Sequence, residues 1–174
     1  MKVAACALEE NMELNGSRQD GKLIYYDDIN ISVAASIDDV LMTPVIDKVN
    51  EKDIEEISDE LNKIYGYLRK KKLMRVKMYG ATFSVSNLGT FLIDDQHPFL
   101  NPPQAAIFGI SRNRKLPVYN ENDEIVPANL TLFSLTIDHG FADGVNVAKY
   151  LTSVNKVLQD PWTYMYHKAA PKED

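Results

Sequence analysis

Residues 135–144 read LTIDHGFADG and place a histidine and two aspartates where an apolar segment ends. The run that leads into the histidine, 130–138, has the apolar pattern typical of a strand. After Gly144, apolar side chains recur at helical spacing, at Val147, Leu151, Val154 and Leu158. The sequence therefore predicts a strand that passes into a helix across His139. An Asp-Gly pair alone would make such a corner, so the histidine raises the question of a chemical role.

His139 is a candidate general base. Imidazole is the only side chain with an ordinary pKa near neutrality, so a neutral ring held through one nitrogen can accept a proton at the other. A structural role at the end of a strand is the alternative, and the spacing to Asp143 does not decide between the two. His97, His167 and the lone Cys6 have no spacing typical of a zinc site. We therefore expect no metal.

Composition limits the class of protein. The 174 residues suffice for one domain with a sizeable core. The net charge of −6 argues against a nucleic-acid partner, and the one basic run, 69–72, lies at the end of a predicted helix, where cations are favoured. No apolar run is long enough to cross a membrane and no signal-peptide pattern is present, so we expect no membrane partner. The single cysteine fits a reducing, intracellular compartment.

Hydrophobic periodicity predicts the elements around the corner. Helices are expected over 2–12 and from Asp53 onward, where Glu56 completes a capping box. Further strands are expected over 28–37, 41–46, 81–87 and 104–111, the first two as a hairpin or meander. Pro161 should end the last helix. A run of strands with a few helices indicates an α+β, sandwich-like domain rather than βαβ units.

Three motifs together resemble a known family. They are FSVSNLGTF (83–91), NPPQAAIFGISRNRKLPV (101–118) and the histidine corner, which follow one another in the family's order. They resemble the catalytic domain of the acyltransferases of 2-oxoacid dehydrogenase complexes, which shares the chloramphenicol acetyltransferase fold. The resemblance spans about Val3 to Pro161 and implies an α+β, two-layer sandwich with a mixed sheet. It also implies a catalytic domain over 1–161, without the family's N-terminal elements, and an apolar then charged tail over 162–174.

The resemblance implies transfer of an acyl group between dihydrolipoamide and coenzyme A, with the lipoyl group supplied by another domain or chain. His139 matches the general base, Ser86 matches the hydroxyl that stabilises the oxyanion, and Asp143 matches an aspartate that orients the turn. The SNLG motif at 86–89 favours acetyl as the acyl group. Alternatives are a non-catalytic scaffold homologue, an acetyltransferase for a small hydroxyl acceptor and, for Ser86, an ordinary strand serine facing solvent.

The same resemblance implies partners and a location. It predicts a homotrimer with the active site between subunits, assembled into a larger core with lipoyl domains and other components of the complex. The tail 162–174 is expected to dock into a neighbouring trimer, or else to fold back onto its own domain. The expected location is the cytoplasm of a bacterium or archaeon, or the mitochondrial matrix. Two positions depart from the family pattern, Gly140 where an arginine is usual and Tyr79 where a glycine is common, so we expect the corner to be held differently.

Overall fold

The computed structural model describes residues 1–38 and 40–166. The helices are α1 (Lys2–Glu9), α2 (Ile54–Arg69), α3 (Gly144–Gln159) and α4 (Pro161–Met165). The strands are β1 (Gly16–Gln19), β2 (Lys22–Tyr25), β3 (Ile31–Val33), β4 (Ala35–Ile37), β5 (Val40–Met42), β6 (Val45–Ile46), β7 (Phe83–Asn87), β8 (Ala106–Tyr119) and β9 (Ile125–Ile137). None of the helices in the described ranges combines the length and apolar composition needed to cross a membrane.

The main sheet is mixed, as predicted. Its strand order is β6-β3-β7-β8-β9, in which β3, β7 and β8 run parallel while β6 and β9 are antiparallel to their neighbours. The connection from β3 to its parallel neighbour β7 contains α2, so one strand-helix-strand crossover is present. The expectation that the fold avoids βαβ units was wrong at this point, because local periodicity does not show which strands pair.

The segment predicted as two strands, 28–37 and 41–46, divides into four. β3 and β6 pair in the main sheet, whereas β4 and β5 form a separate antiparallel ribbon. The break comes after Val33, where the Ala34 amide donates to the carbonyl of Val85 at 3.0 Å. The predicted hairpin is therefore present, but it twists out of the main sheet halfway along.

The helix α2 begins where the sequence indicated. Asp53 caps it by accepting from the Glu56 amide at 2.7 Å, and the Glu56 carboxylate accepts from the Asp53 amide at 2.9 Å. Ile57, Ile64 and Leu68 on one side of the helix are buried. That apolar side contributes to the core between the helices and the sheet.

The hairpin of β8 and β9 is longer than the sequence predicted. Strands were expected over 104–111 and 130–138, but the pairing continues to Tyr119 and resumes at Ile125. Basic residues and two prolines that lie opposite each other, Pro117 and Pro127, interrupt the apolar pattern along this extension. Half-buried and exposed residues alternate there, so the extension has one sheltered face. The extended conformation of this segment is stabilised by pairing with the partner strand, and the composition of the segment alone does not predict that pairing.

The core joins α1 and α3 to the sheet. Tyr150 of α3 is fully buried between the rings of Phe83 and Phe108, with ring centroids 5.5 and 5.7 Å away. α1 packs against α3 and is shorter than the predicted 2–12, because the chain enters a 3-10 turn at Met12. Aromatic packing across the layers therefore fixes α3, and α3 begins at the histidine corner.

The C-terminal segment differs from its prediction in one respect. Pro161 was expected to end the last helix, but α3 already ends at Gln159, and Pro161 is the first residue of α4. Proline is well suited to that first helical position, since no intrahelical partner is needed there. α4 packs on α1 and α3, and Cys6 Sγ donates to the carbonyl of Tyr164 at 3.4 Å. The rest of the predicted tail, 167–174, lies outside the described residues.

Candidate functional site

Ser86 lies on the face of the sheet opposite the helices. Along β7, Phe83 and Val85 point into the core, and the period-two alternation of a strand sends Ser84 and Ser86 to the other face. Ser86 is 9% exposed. This disagrees with the alternative of a solvent-facing strand serine, because the hydroxyl is sheltered inside a cavity instead.

Two adjoining cavities cover this face. The smaller, of about 350 Å³, contains Ser86 and has a mainly apolar wall that includes Leu88, Leu100 and Ile107. The larger, of about 800 Å³, has a more polar lining that includes Asp28. Ser32, Thr43 and Asn101 contribute to both cavities, so the two adjoin each other. The hydroxyl of Ser86 therefore lies in a mainly apolar cavity beside a more polar one.

A chain of buried hydrogen bonds forms the wall between the cavities. The hydroxyls of Ser32 and Ser84 are 2.8 Å apart, and Ser84 Oγ donates to Gln104 Oε1 at 2.7 Å. Gln104 Nε2 in turn donates to the carbonyl of Ala81 at 3.3 Å. Because each of these polar side chains has a partner, the wall is held in one arrangement.

His139 is exposed in the turn that follows β9. The amides of Phe141 and Ala142 donate to the carbonyl of Asp138 at 2.8 and 3.1 Å, and the Asp138 amide donates to the carbonyl of Ala105 at 2.8 Å. The backbone around the histidine is therefore held by bonds within the turn and by one bond to Ala105, the residue directly before β8. The imidazole faces outward from this turn.

Arg18 of β1 holds the corner. Its Nε donates to Asp138 Oδ2 at 2.7 Å, while the Gly140 amide donates to Asp138 Oδ1 at 2.8 Å. The bond from Arg18, followed by that from Gly140, holds the pKa of the Asp138 carboxyl below its usual range. A Cβ at Gly140 would lie only 3.1 Å from Arg18 Cζ. Gly140 stands where the family usually has an arginine. Because it has no side chain, it leaves room for the side chain of Arg18, which belongs to β1.

The hairpin of β1 and β2 packs against the same corner. Phe141 is buried, and its ring lies 5.0 Å from that of Tyr25. Gly16 is needed beneath it, because a Cβ there would approach Phe141 Cζ to 2.3 Å. The turn of this hairpin contains Asp20 and Gly21, both with positive φ. An Asp-Gly pair is a strong hairpin signal, and it is the feature from which this hairpin could have been predicted.

Asp143 caps α3. Its Oδ1 accepts from the amides of Val145 and Asn146 at 2.8 and 3.2 Å, and Asn146 Oδ1 accepts from the Asp143 amide at 3.0 Å. These bonds satisfy donors that the helix leaves unpaired at its start. The arginine at this corner bonds to Asp138 rather than to Asp143. The carboxylate of Asp143 therefore fixes the direction in which α3 leaves the turn.

A single chain does not bring Ser86 and His139 together. Ser86 lies opposite Gly109, and Gly109 lies opposite Ser134 on the next strand. His139 follows Ser134 by five residues, which is roughly 17 Å along a strand, and the two strand spacings add roughly 10 Å sideways. The Cα atoms of Ser86 and His139 are thus roughly 20 Å apart in one chain.

The structure adds Gln96 to the site. This buried side chain contacts Ser86, and it lies in the loop between β7 and β8, for which the sequence gave no structural prediction. A single glutamine in a loop carries no recognisable signal. Over residues 1–38 and 40–166, no three His, Cys, Asp or Glu side chains are grouped so that they could hold a metal ion.

Comparison with known proteins identifies the family. The family model for the 2-oxoacid dehydrogenases acyltransferase catalytic domain matches residues 1–166, and the chain belongs to this family. The dihydrolipoyllysine-residue acetyltransferase component of the Rickettsia conorii pyruvate dehydrogenase complex is 32% identical over 91% of the chain. The lipoamide acyltransferase component of the Bacillus subtilis branched-chain alpha-keto acid dehydrogenase complex is 33% identical over 91%. The chain covers 38% of the length of each.

Solved structures agree with this assignment. The cubic core of a pyruvate dehydrogenase multienzyme complex has a TM-score of 0.87 at 29% identity, over 94% of this chain and 68% of that one. The Azotobacter vinelandii dihydrolipoamide acetyltransferase, studied for the catalytic role of one serine, one histidine and one asparagine, has a TM-score of 0.88 at 28% identity, with the same coverage. Chloramphenicol acetyltransferase, at 17% identity, has a TM-score of 0.57 over 90% of this chain and 74% of that one. The α+β fold of this type is therefore confirmed.

Proposed function

We propose that this chain is the acyltransferase domain that moves an acetyl group between dihydrolipoamide and coenzyme A in the core of a 2-oxoacid dehydrogenase complex. The observation that carries the proposal is the family match across residues 1–166. The Rickettsia conorii relative and the Azotobacter vinelandii structure are both acetyltransferases. Since a Bacillus subtilis relative serves a branched-chain complex, the choice of acetyl rests on the SNLG motif at 86–89.

The reaction is an exchange between a thiol and a thioester. The attacking thiol must lose its proton, because its ordinary pKa is about 8.5 and the thiolate is the nucleophile. Attack on the thioester carbonyl gives a tetrahedral intermediate with a negative oxygen, which collapses as the C–S bond to the departing thiol breaks. That thiol then takes up a proton. The reaction therefore needs one base that returns its proton and one donor for the oxyanion.

We assign the base to His139 and the oxyanion donor to Ser86. The Azotobacter vinelandii study supports this choice, since it concerns a serine, a histidine and an asparagine, the last two four positions apart. In this chain Asp143 stands four positions after His139. Its bonds to the start of α3 support a structural role, in which it orients the turn that bears the base.

The distance between Ser86 and His139 supports an active site shared between subunits. Because about 20 Å separate them in one chain, a second copy has to bring its histidine to this serine. A homotrimer with three such sites is the arrangement we propose. The similarity to a chain of a cubic core supports further assembly, with lipoyl domains and other components of the complex as partners. The bacterial relatives favour a cytoplasmic location.

An acyl-transfer assay tests this function. The purified chain should transfer acetyl from acetyl-CoA to dihydrolipoamide, and it should act poorly on a small hydroxyl acceptor. His139→Ala should lower turnover by roughly 10²–10⁴-fold with an unchanged melting temperature, because the turn is held by backbone bonds to Asp138. An oligomer that shows no transfer to either acceptor would instead favour the scaffold alternative.

A further inference from the structure

Gln96 has an unusually complete set of bonds for a loop residue. It is 8% exposed, and its Nε2 donates to the carbonyls of Ser86 and Ile110 at 3.2 and 2.6 Å. Its Oε1 accepts from Ser86 Oγ at 3.3 Å. The side chain therefore joins the end of β7 to β8 and contacts the hydroxyl of the proposed oxyanion donor.

These bonds fix which way the amide of Gln96 points. A side-chain amide has a donating end and an accepting end. The end that faces two carbonyls must be the nitrogen, because two facing oxygens would repel. The oxygen is then directed at Ser86 Oγ. The hydroxyl of Ser86 has only one hydrogen, and in this arrangement that hydrogen points to Gln96.

The backbone of the loop is fixed as well. Ser134 Oγ on β9 donates to the carbonyl of Gln96, and the Arg112 amide donates to the carbonyl of Ile93 at 3.0 Å. Gly109, which lies opposite Ser86, makes the space for this packing. A Cβ at Gly109 would lie 2.4 Å from Ser134 Oγ and 3.2 Å from Gln96 Cγ. The position of Gln96 is therefore fixed both through its backbone carbonyl and through the packing of its side chain against Gly109.

We propose that Gln96 is a positioning residue for Ser86, which holds the hydroxyl at the cavity wall until an oxyanion forms. The inference rests on the proposed acyl transfer. The bond from Ser86 Oγ to a neutral oxygen at 3.3 Å is long and weak. A negative oxygen is the stronger acceptor, so the hydroxyl hydrogen turns from Gln96 to the oxyanion as charge develops. Gln96 keeps Oγ in one rotamer and releases only the hydrogen.

Kinetics in two backgrounds test this role. Gln96→Met preserves length but removes both hydrogen-bonding ends, so Ser86 regains its three rotamers. We expect kcat to fall roughly threefold to tenfold, with KM for dihydrolipoamide nearly unchanged. In a Ser86→Ala background the same substitution should have almost no further effect on kcat, because the group that it positions is gone.

Gln104→Met is the matched control. Gln104 is also 8% exposed, and it bonds to Ser84 rather than to Ser86. Whatever its effect on kcat, that effect should be the same with Ser86 and with Ala at position 86. A fall in kcat from Gln96→Met that is equal in both backgrounds would overturn the positioning role while acyl transfer stands. A wild-type chain without transfer activity would refute the proposed function, and this inference with it.

Gln96→Glu provides a second test if the methionine variant does not fold. A protonated glutamic acid keeps one donor and one acceptor, whereas the ionised form cannot donate to the carbonyls and holds the Ser86 hydrogen more strongly. Burial raises the pKa of such a carboxyl. The ratio of its kcat to that of the wild type should therefore fall as pH rises. A ratio that does not change with pH would contradict the proposal.

Discussion

Arg18 Nε and Asp138 Oδ2 lie 2.7 Å apart, and this bond joins β1 to the residue directly before His139. The two partners are 120 positions apart in the chain. Asp138 uses its second oxygen to accept from the Gly140 amide, so one carboxylate links the outer hairpin to both sides of the histidine. The orientation of the proposed base therefore depends on a strand at the other end of the sequence.

Removal of this arginine should impair catalysis more than stability. We expect Arg18→Met to lower kcat roughly tenfold, because misplacement of a base weakens proton transfer in the transition state. The pair is partly exposed, so the change in the free energy of unfolding should stay within about 1 kcal/mol. Kinetics and thermal melts measure the two effects. Lys156→Met is the control: it removes the ion pair between Lys156 of α3 and Glu10, which follows α1, and it should leave kcat near wild type.

The same pair predicts a dependence of stability on pH. The folded chain lowers the pKa of Asp138, so its contribution is fully present above the ordinary aspartate pKa of about 3.9 and is lost as pH falls through the lower folded value. The melting temperatures of wild type and Arg18→Met should therefore converge below about pH 4. A difference that persists undiminished in acid would mean that Arg18 acts through packing rather than charge.

Variants of the two proposed catalytic residues should complement each other. Ser86→Ala is expected to lower kcat roughly 10²-fold or more with little change in KM, since an oxyanion donor acts mainly in the transition state. When His139→Ala and Ser86→Ala chains are refolded together, mixed oligomers contain some sites with both native residues. Activity should then exceed that of either variant alone. If verified mixed oligomers show no recovery, the site is not shared between subunits.

Replacement of Asp143 should weaken the start of α3. Asp143→Ala removes bonds to the amides of Val145 and Asn146, and the loss of such a cap costs about 1 kcal/mol. In a chain of this size the melting temperature should fall by roughly 2–4 °C. Asp143→Asn, which keeps an oxygen for the cap, should melt within about 1 °C of wild type. An equal loss in both variants would show that the negative charge, not the cap, matters.

Deletions in the C-terminal segment test whether trimers assemble into a larger core. Trp162, Met165 and Tyr166 remain half-exposed although α4 packs on its own domain, so we expect them to contribute to contacts between trimers. Deletion of 162–174 should reduce the assembly to trimers without unfolding the chain, and deletion of 167–174 alone should separate the contribution of α4 from that of the remaining tail. Light scattering at micromolar concentration measures the size. An intact chain no larger than a trimer would remove this role.

Local signals predicted much of the helical framework. The capping box of Asp53 and Glu56 marked the start of α2, and the apolar spacing after Gly144 marked α3. Strand alternation in FSVSN places Phe83 and Val85 on one face of β7 and Ser84 and Ser86 on the other, as the structure has them. In each case the information lies within a few residues of the chain, where a strand or helix repeat applies directly.

The sequence by itself determined where α2 and α3 begin and which side chains could act as base and donor. It did not determine which side of α3 is buried, because Leu158 is exposed while Tyr150 and Val157 are buried. Only the tertiary structure decided the parallel pairing of β3 with β7, the bond from Arg18 to Asp138, and the contact of Gln96 with Ser86. Pairing in a sheet and long-range hydrogen bonds depend on which segments the whole core brings together. Local periodicity holds no information about these contacts, because the two partners are distant in the sequence and neither has a local pattern that identifies the other.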